Sequence, residues 1–136
     1  MAFIEWKDVY DVGFKEIDDQ HKVLITILNE LYDAQKKGTG QHMIANTLKK
    51  LAEYTIYHFD TEKKLFEQYK YPQMAEHLEE HDYFVNQVKD FQDELQRSNL
   101  LLSMKTMDFL KDWTITHILG SDKTFGEFVQ RKELGI

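Results

Sequence analysis

Cysteine is absent from this chain, and proline occurs once. Without thiols there can be no disulfide framework, no iron–sulfur cluster and no thiolate zinc site. A basic surplus is also missing: 24 acidic residues outnumber 17 basic ones, for a formal charge of −7. That balance argues against nucleic acid or an anionic membrane surface as partner, because both recruit basic surfaces. No apolar run approaches the roughly 20 residues needed to span a bilayer, so membrane insertion is not expected. The opening "MAFIEWKDVYDVGF" has early acidic residues and no unbroken apolar core, unlike a signal peptide. These absences predict a cytoplasmic protein. Strand alternation, low-complexity stretches and internal repeats are lacking too.

What is there reads as helix. Breaks fall at "KKGTGQ" (36–41), "YKYPQ" (69–73) and "QRSNLLLS" (96–103). They separate helix-patterned segments at about 19–37, 41–69, 73–95 and 103–119, with a short amphipathic tail near 121–132. Each long segment carries one stripe stepping by three and four. In the second it runs Ile44, Leu48, Leu51, Thr55, His58, Glu62, Leu65, Tyr69; in the third, Met74, His77, His81, Phe84, Val88, Phe91, Leu95. The first holds His21, Ile25, Leu28 and Tyr32, and the fourth Met107, Leu110, Thr114 and His117. Four such stripes with short connections predict an all-α, up-down-up-down antiparallel four-helix bundle. The 136 residues suit one domain. It divides into an arm (1–17) carrying Phe3, Trp6, Tyr10 and Phe14 as an apolar strap, the bundle (18–119) and a C-terminal tail helix (120–136). Stripes satisfied within one bundle predict a monomer.

The stripes contain residues that do not belong in an oily core. Five of the six histidines, His21, His58, His77, His81 and His117, lie on them; His42 does not and is expected at the surface. Residues four apart differ by about 40° around a helix, so His58 with Glu62 and His77 with His81 each aim two donors one way. In an antiparallel bundle all of these positions fall toward one end and can converge. A lone histidine on such a stripe is usually a hydrogen-bonded core residue. Burying five imidazoles and a carboxylate without a cation, however, would cost on the order of several kcal/mol. A metal centre removes that cost. Glu76, Glu79, Glu80 and Asp82 point away from the histidine pair and are expected to be solvated; Tyr54, Phe59 and Phe84 read as packing.

Imidazoles with a carboxylate suit iron, manganese, zinc or copper, and outnumber what one ion with an open position would use. The Glu-x-x-His pattern of ferritin-like di-iron proteins is missing, since no histidine has a glutamate three residues before it. The combination "GFKEIDDQHKVL" (13–24), "HFDTE" (58–62), "HLEEH" (77–81) and "HILGSD" (117–122) resembles the hemerythrin family, in its bacterial form, from the Trp6 arm through Asp122. The resemblance implies two non-heme irons joined by a hydroxide or oxide bridge. His77, His81 and His117 would hold one, His21 and His58 the other, with Glu62 and Asp122 bridging. Asp122 comes from the resemblance alone. Five residues after His117 it stands about 140° further round an ideal helix, where it would read as a cap for the tail. A loosening near Gly120 is expected to bring it back.

On that resemblance every position around two six-coordinate irons is filled but one, at the iron with two histidines. Dioxygen would bind there end-on as hydroperoxide. The implied function is reversible dioxygen binding for storage, delivery or scavenging, without enzymatic turnover, with an oxygen-consuming enzyme as a possible recipient. Two alternatives are a di-iron redox enzyme acting on peroxide, nitric oxide or ferrous iron, and a redox sensor. One departure stands out: Thr114 occupies the place, three residues before His117, where the family usually has leucine. Its hydroxyl is expected to meet the bound ligand or admit water, hastening autoxidation.

Overall fold

The computed structural model describes residues 3–37, 41–98 and 104–135. Four long helices, α1 (Lys15–Lys37), α2 (Gln41–Tyr69), α3 (Met74–Ser98) and α4 (Met104–His117), form the antiparallel bundle. A π turn, Ile118–Asp122, joins α4 directly to α5 (Lys123–Glu133). Helix α1 starts at Lys15, inside the stretch assigned to the arm, and α5 continues α4 without a break. The glycine-rich and "NLLL" breaks fall largely outside the described residues, at 38–40 and 99–103.

Each helix buries most of its predicted stripe, with Tyr32, Tyr69, Met74 and Phe91 half-buried against the core. Ile17, Leu24, Leu28 and Leu31 of α1, Ile44, Leu48 and Leu51 of α2, Val88 and Leu95 of α3, and Met107 and Leu110 of α4 are buried in one core. Acidic Glu16 and Asp18 in the first turn of α1 and Lys36 and Lys37 in its last complement the helix dipole. Helix α2 ends where Lys70 takes a left-handed φ of 52° and the Tyr71 N–H bonds back to the Phe66 carbonyl, 2.9 Å away. Pro72, just beyond, prevents continuation.

Residues 3–14 precede α1 and are tied to the bundle by specific contacts. Asn29 of α1 clasps Ile4 at both ends, accepting from its N–H at 2.7 Å and donating to its carbonyl at 2.9 Å. Phe3 stacks on Tyr32 with ring centroids 4.2 Å apart, while the Val12 N–H is capped by Asp18 at 2.8 Å. Helix α5 closes over the arm at Gly126, where any Cβ would run into the Val12 carbonyl. No described helix is long and apolar enough to cross a membrane.

Candidate metal centre

All seven residues expected at the site are buried, with exposures between 1% and 5%. His21 comes from α1, His58 and Glu62 from the late part of α2, His77 and His81 from the start of α3, and His117 from the last position of α4. Their side chains meet at one end of the bundle, as the antiparallel order requires. His42 is exposed and lies against Asn46.

Asp122 reaches the same point because the chain leaves α-helical geometry. In the π turn the hydrogen bonds run from i to i+5 and the helix widens, so positions 117 and 122 become neighbours. His117 Nε2 and Asp122 Oδ1 are 3.2 Å apart. Asp122 does not cap α5, having no side-chain cap bond and an αR backbone. The loosening near Gly120 is therefore this one wide turn. Glycine is not sterically required for it: a Cβ at Gly120 would meet nothing within 4 Å.

The two carboxylates divide their oxygens between two groups of histidines. Glu62 Oε1 lies 2.9 Å from His81 Nε2 and 3.7 Å from His77 Nε2, while Asp122 Oδ1 lies 2.9 Å from His77 Nε2. On the other side, Glu62 Oε2 is 3.3 Å from His58 Nε2 and 3.7 Å from His21 Nε2, and Asp122 Oδ2 is 3.0 Å from His21 Nε2. Two donor sets result, one of five residues (Glu62, His77, His81, His117, Asp122) and one of four (His21, His58, Glu62, Asp122). Both carboxylates belong to both sets.

These close approaches are not hydrogen bonds. Both nitrogens of His21 and of His81 and all four oxygens of Glu62 and Asp122 are buried without a hydrogen-bond partner among the described residues. Each such atom is expensive to bury unless something outside the chain satisfies it. With metal–ligand bonds of about 2.0–2.2 Å, adjacent donors around an octahedral ion lie about 3 Å apart, close to the shorter spacings found here. The donor set fits metal ions on both counts. Without them, protons must balance the charge. Burial alone would lower the His21 pKa, but Asp122 and Glu62 outweigh it and push it up to about 9. His117 is pushed up to about 10 against the same burial, by Asp122 and Glu80. Burial favours the neutral forms of Glu62 and Asp122, yet the surrounding imidazoles hold both well below the ordinary carboxylate range.

Two supporting residues escaped the sequence reading. His58 Nδ1–H donates to Gln20 Oε1 at 2.7 Å, which leaves Nε2 bare toward the centre. His117 Nδ1–H donates to Glu80 Oε1 at 2.8 Å, and Ser121 Oγ also donates to Glu80. Glu80 is thus no idle solvated acid, contrary to expectation. It points away from its neighbour His81 on α3 but toward the histidine of α4. A pattern read along one helix cannot show a pairing made across two. Such outer partners fix the tautomer and orientation of a ligating imidazole.

Aromatic rings wall the centre. Phe59 stacks on His81 at 3.7 Å and 1°, Trp113 on His117 at 4.5 Å and 11°, and Phe66 packs on His77. Beside them lies a cavity of about 20 Å³ whose lining includes His21, His58, His117 and Asp122 but neither His77 nor His81. Thr114 lines it too, although its hydroxyl donates to the Leu110 carbonyl at 2.7 Å. The hydrogen of that hydroxyl is already engaged, so Thr114 offers the cavity only an acceptor.

Comparison with known proteins agrees with this geometry. Residues 12–129 match the Hemerythrin HHE cation binding domain. The chain is 31% identical over 129 residues to a bacteriohemerythrin of Methylococcus capsulatus, covering 93% of this chain and 96% of the relative. A bacteriohemerythrin of Stenotrophomonas maltophilia is 30% identical over 131 residues, covering 96% and 84%. A hemerythrin-like protein of Naegleria gruberi is also 30% identical, over 88% of each chain. The crystal structure of wild-type hemerythrin superposes with a TM-score of 0.86 at 28% identity, covering 93% of this chain and 97% of that one. With its bundle, its buried histidine–carboxylate cluster and this match over most of its length, the chain belongs to the hemerythrin family.

Proposed function

We propose that this chain holds two non-heme irons and binds dioxygen reversibly, as a store, a carrier or a scavenger and not as a catalyst. The observation that carries the reading is the division of Glu62 and Asp122, each with one oxygen toward His77, His81 and His117 and the other toward His21 and His58. One ion would take three imidazoles, the other two, and the carboxylates would span both. The ion with two imidazoles would be left with an open position, and the cavity is lined by both His21 and His58 but, of the other group, only by His117. When bound, the iron pair supplies two electrons to dioxygen and recovers them on release.

The chain's own residues do the rest. Gln20 and Glu80 hold His58 and His117 in the tautomers that present Nε2 inward. Phe59, Phe66 and Trp113 keep bulk water from the centre and restrict the rings. A histidine-rich shell closed to bulk water favours release of dioxygen over cleavage of its bond. The reading includes a single cytoplasmic domain acting as a monomer, with an oxygen-consuming enzyme as recipient. A second reading, redox turnover of peroxide, draws support from the threonine side chains that line the cavity.

Iron content and visible spectra of the reduced protein before air, after air and after purging with inert gas test the proposal. Two irons per chain and an absorption band that appears with air and vanishes on purging are expected. A band that persists as an oxidised form favours redox turnover. Protein that does not retain two irons sinks both readings.

A further inference from the structure

The cavity beside the centre is built mainly from apolar side chains, among them Leu24, Leu28, Leu51 and Phe84. Two hydroxyls break that lining, from Thr55 on α2 and Thr114 on α4. The sequence places them alike: "TIYH" (55–58) and "TITH" (114–117) each set a threonine one helical turn before a centre histidine. Helices α2 and α4 run in the same direction, so both hydroxyls stand at one level above the histidine layer.

Their hydrogen bonding differs. Thr114 Oγ1 spends its hydrogen on the Leu110 carbonyl, the usual back-bond of a helical threonine, and keeps lone pairs toward the cavity. Thr55 is 1% exposed, and its Oγ1 has no partner among the described residues. It therefore brings a free donor to the cavity wall. That space, about 20 Å³, passes the roughly 10–15 Å³ that one water needs. Dioxygen is a poor acceptor and no donor, so it answers neither hydroxyl.

We propose that Thr55 and Thr114 make this cavity a pocket for one small protic molecule, water at rest and hydrogen peroxide when offered, which accepts from Thr55 and donates to Thr114. Thr55 is then the residue that sets ligand preference beside the centre. The idea rests on the proposed metal function for its zinc and azide tests only, since the occupant of the cavity can be seen in the protein as purified whether or not iron is bound.

High-resolution crystal structures of the protein as purified should show one solvent atom within hydrogen-bond distance of both hydroxyls. That atom should be lost in Thr55→Val and weakened in Thr114→Val, each a near-isosteric change. Zinc-loaded crystals, which have no redox chemistry, should show two-atom density in the cavity after soaking in hydrogen peroxide. In oxidised iron-loaded protein, azide serves as an acceptor-only probe. Its affinity should fall about tenfold in Thr55→Val and recover in Thr55→Ser, the scale of one hydrogen bond to a charged ligand. An empty cavity in the wild-type crystal overturns the proposal. So does a Thr55→Val protein that melts higher yet binds azide within twofold of wild type, because the hydroxyl would then be only an unsatisfied core group. If the wild-type protein itself does not retain iron, the metal reading fails, while the crystal structures still decide what the cavity holds.

Discussion

His117 and Asp122 lie five residues apart in the chain, yet their donor atoms stand 3.2 Å from each other, because the turn between them is π-helical. An α-helical turn would carry the carboxylate about 140° away from the imidazole. The wide turn thus brings the Asp122 carboxylate back beside the histidines. Since a Cβ at Gly120 meets nothing within 4 Å, the turn does not depend on glycine. Gly120→Ala is expected to fold, keep its metal content and gain slightly in thermal stability, as removal of a helical glycine does. Deleting Gly120 should instead turn the segment α-helical with Asp122 only four residues after His117, about 40° round the helix and still on its face. Metal analysis of the deletion should then match wild type, and a loss would mean that the carboxylate needs the π turn itself.

The outer partners of the imidazoles should tune metal affinity without supplying ligands. Glu80→Gln keeps an acceptor for His117 Nδ1–H but removes the charge, whereas Glu80→Ala removes both. Metal affinity is expected to fall 10–100-fold in Glu80→Ala and less in Glu80→Gln, measured by competition with a chelator. Gln20→Leu should act similarly through His58. Unchanged affinity in all three would show that ring packing alone orients the imidazoles.

The charge balance of the metal-free centre predicts its pH dependence. His21 and His117 have folded-state values near 9 and 10, above the ordinary histidine value of 6.5. Their stabilisation is present in full below about pH 6.5 and is lost as pH rises through 9 to 10. Glu62 and Asp122 are shifted down, so their contribution is present above the ordinary carboxylate range and is lost as pH falls well below it. Melting temperatures of metal-free protein should therefore fall on the alkaline side. The loaded protein should lack this alkaline loss, because metal has replaced the protons, and proton release on metal addition at neutral pH should be measurable.

The contact between arm and tail gives a purely structural prediction. Gly126→Ala places a methyl against the Val12 carbonyl, which is backbone and cannot step aside without moving the arm. A loss of about 1–3 kcal/mol is expected from denaturant unfolding, with the tail and arm loosening first in hydrogen exchange.

Much of this protein was legible in the sequence because its chemistry is written in helical period. The stripes of α1 to α4 placed His21, His58, Glu62, His77, His81 and His117 at one end of a bundle, and a buried histidine has few reasons to be there. Asp122 did not follow from period, since α-helical phase sends it elsewhere, and only the family pattern pointed to it.

Tertiary structure decided what lies between helices. A single helix cannot show that the two oxygens of Glu62 face different histidines, that Glu80 of α3 supports His117 of α4, or that Gln20 of α1 supports His58 of α2. Nor could it tell which threonine spends its hydrogen on its own helix and which brings it to the cavity. Periodicity fixes the direction in which a side chain leaves its helix. What it meets there depends on the neighbouring helix, and that is settled only when the chain packs.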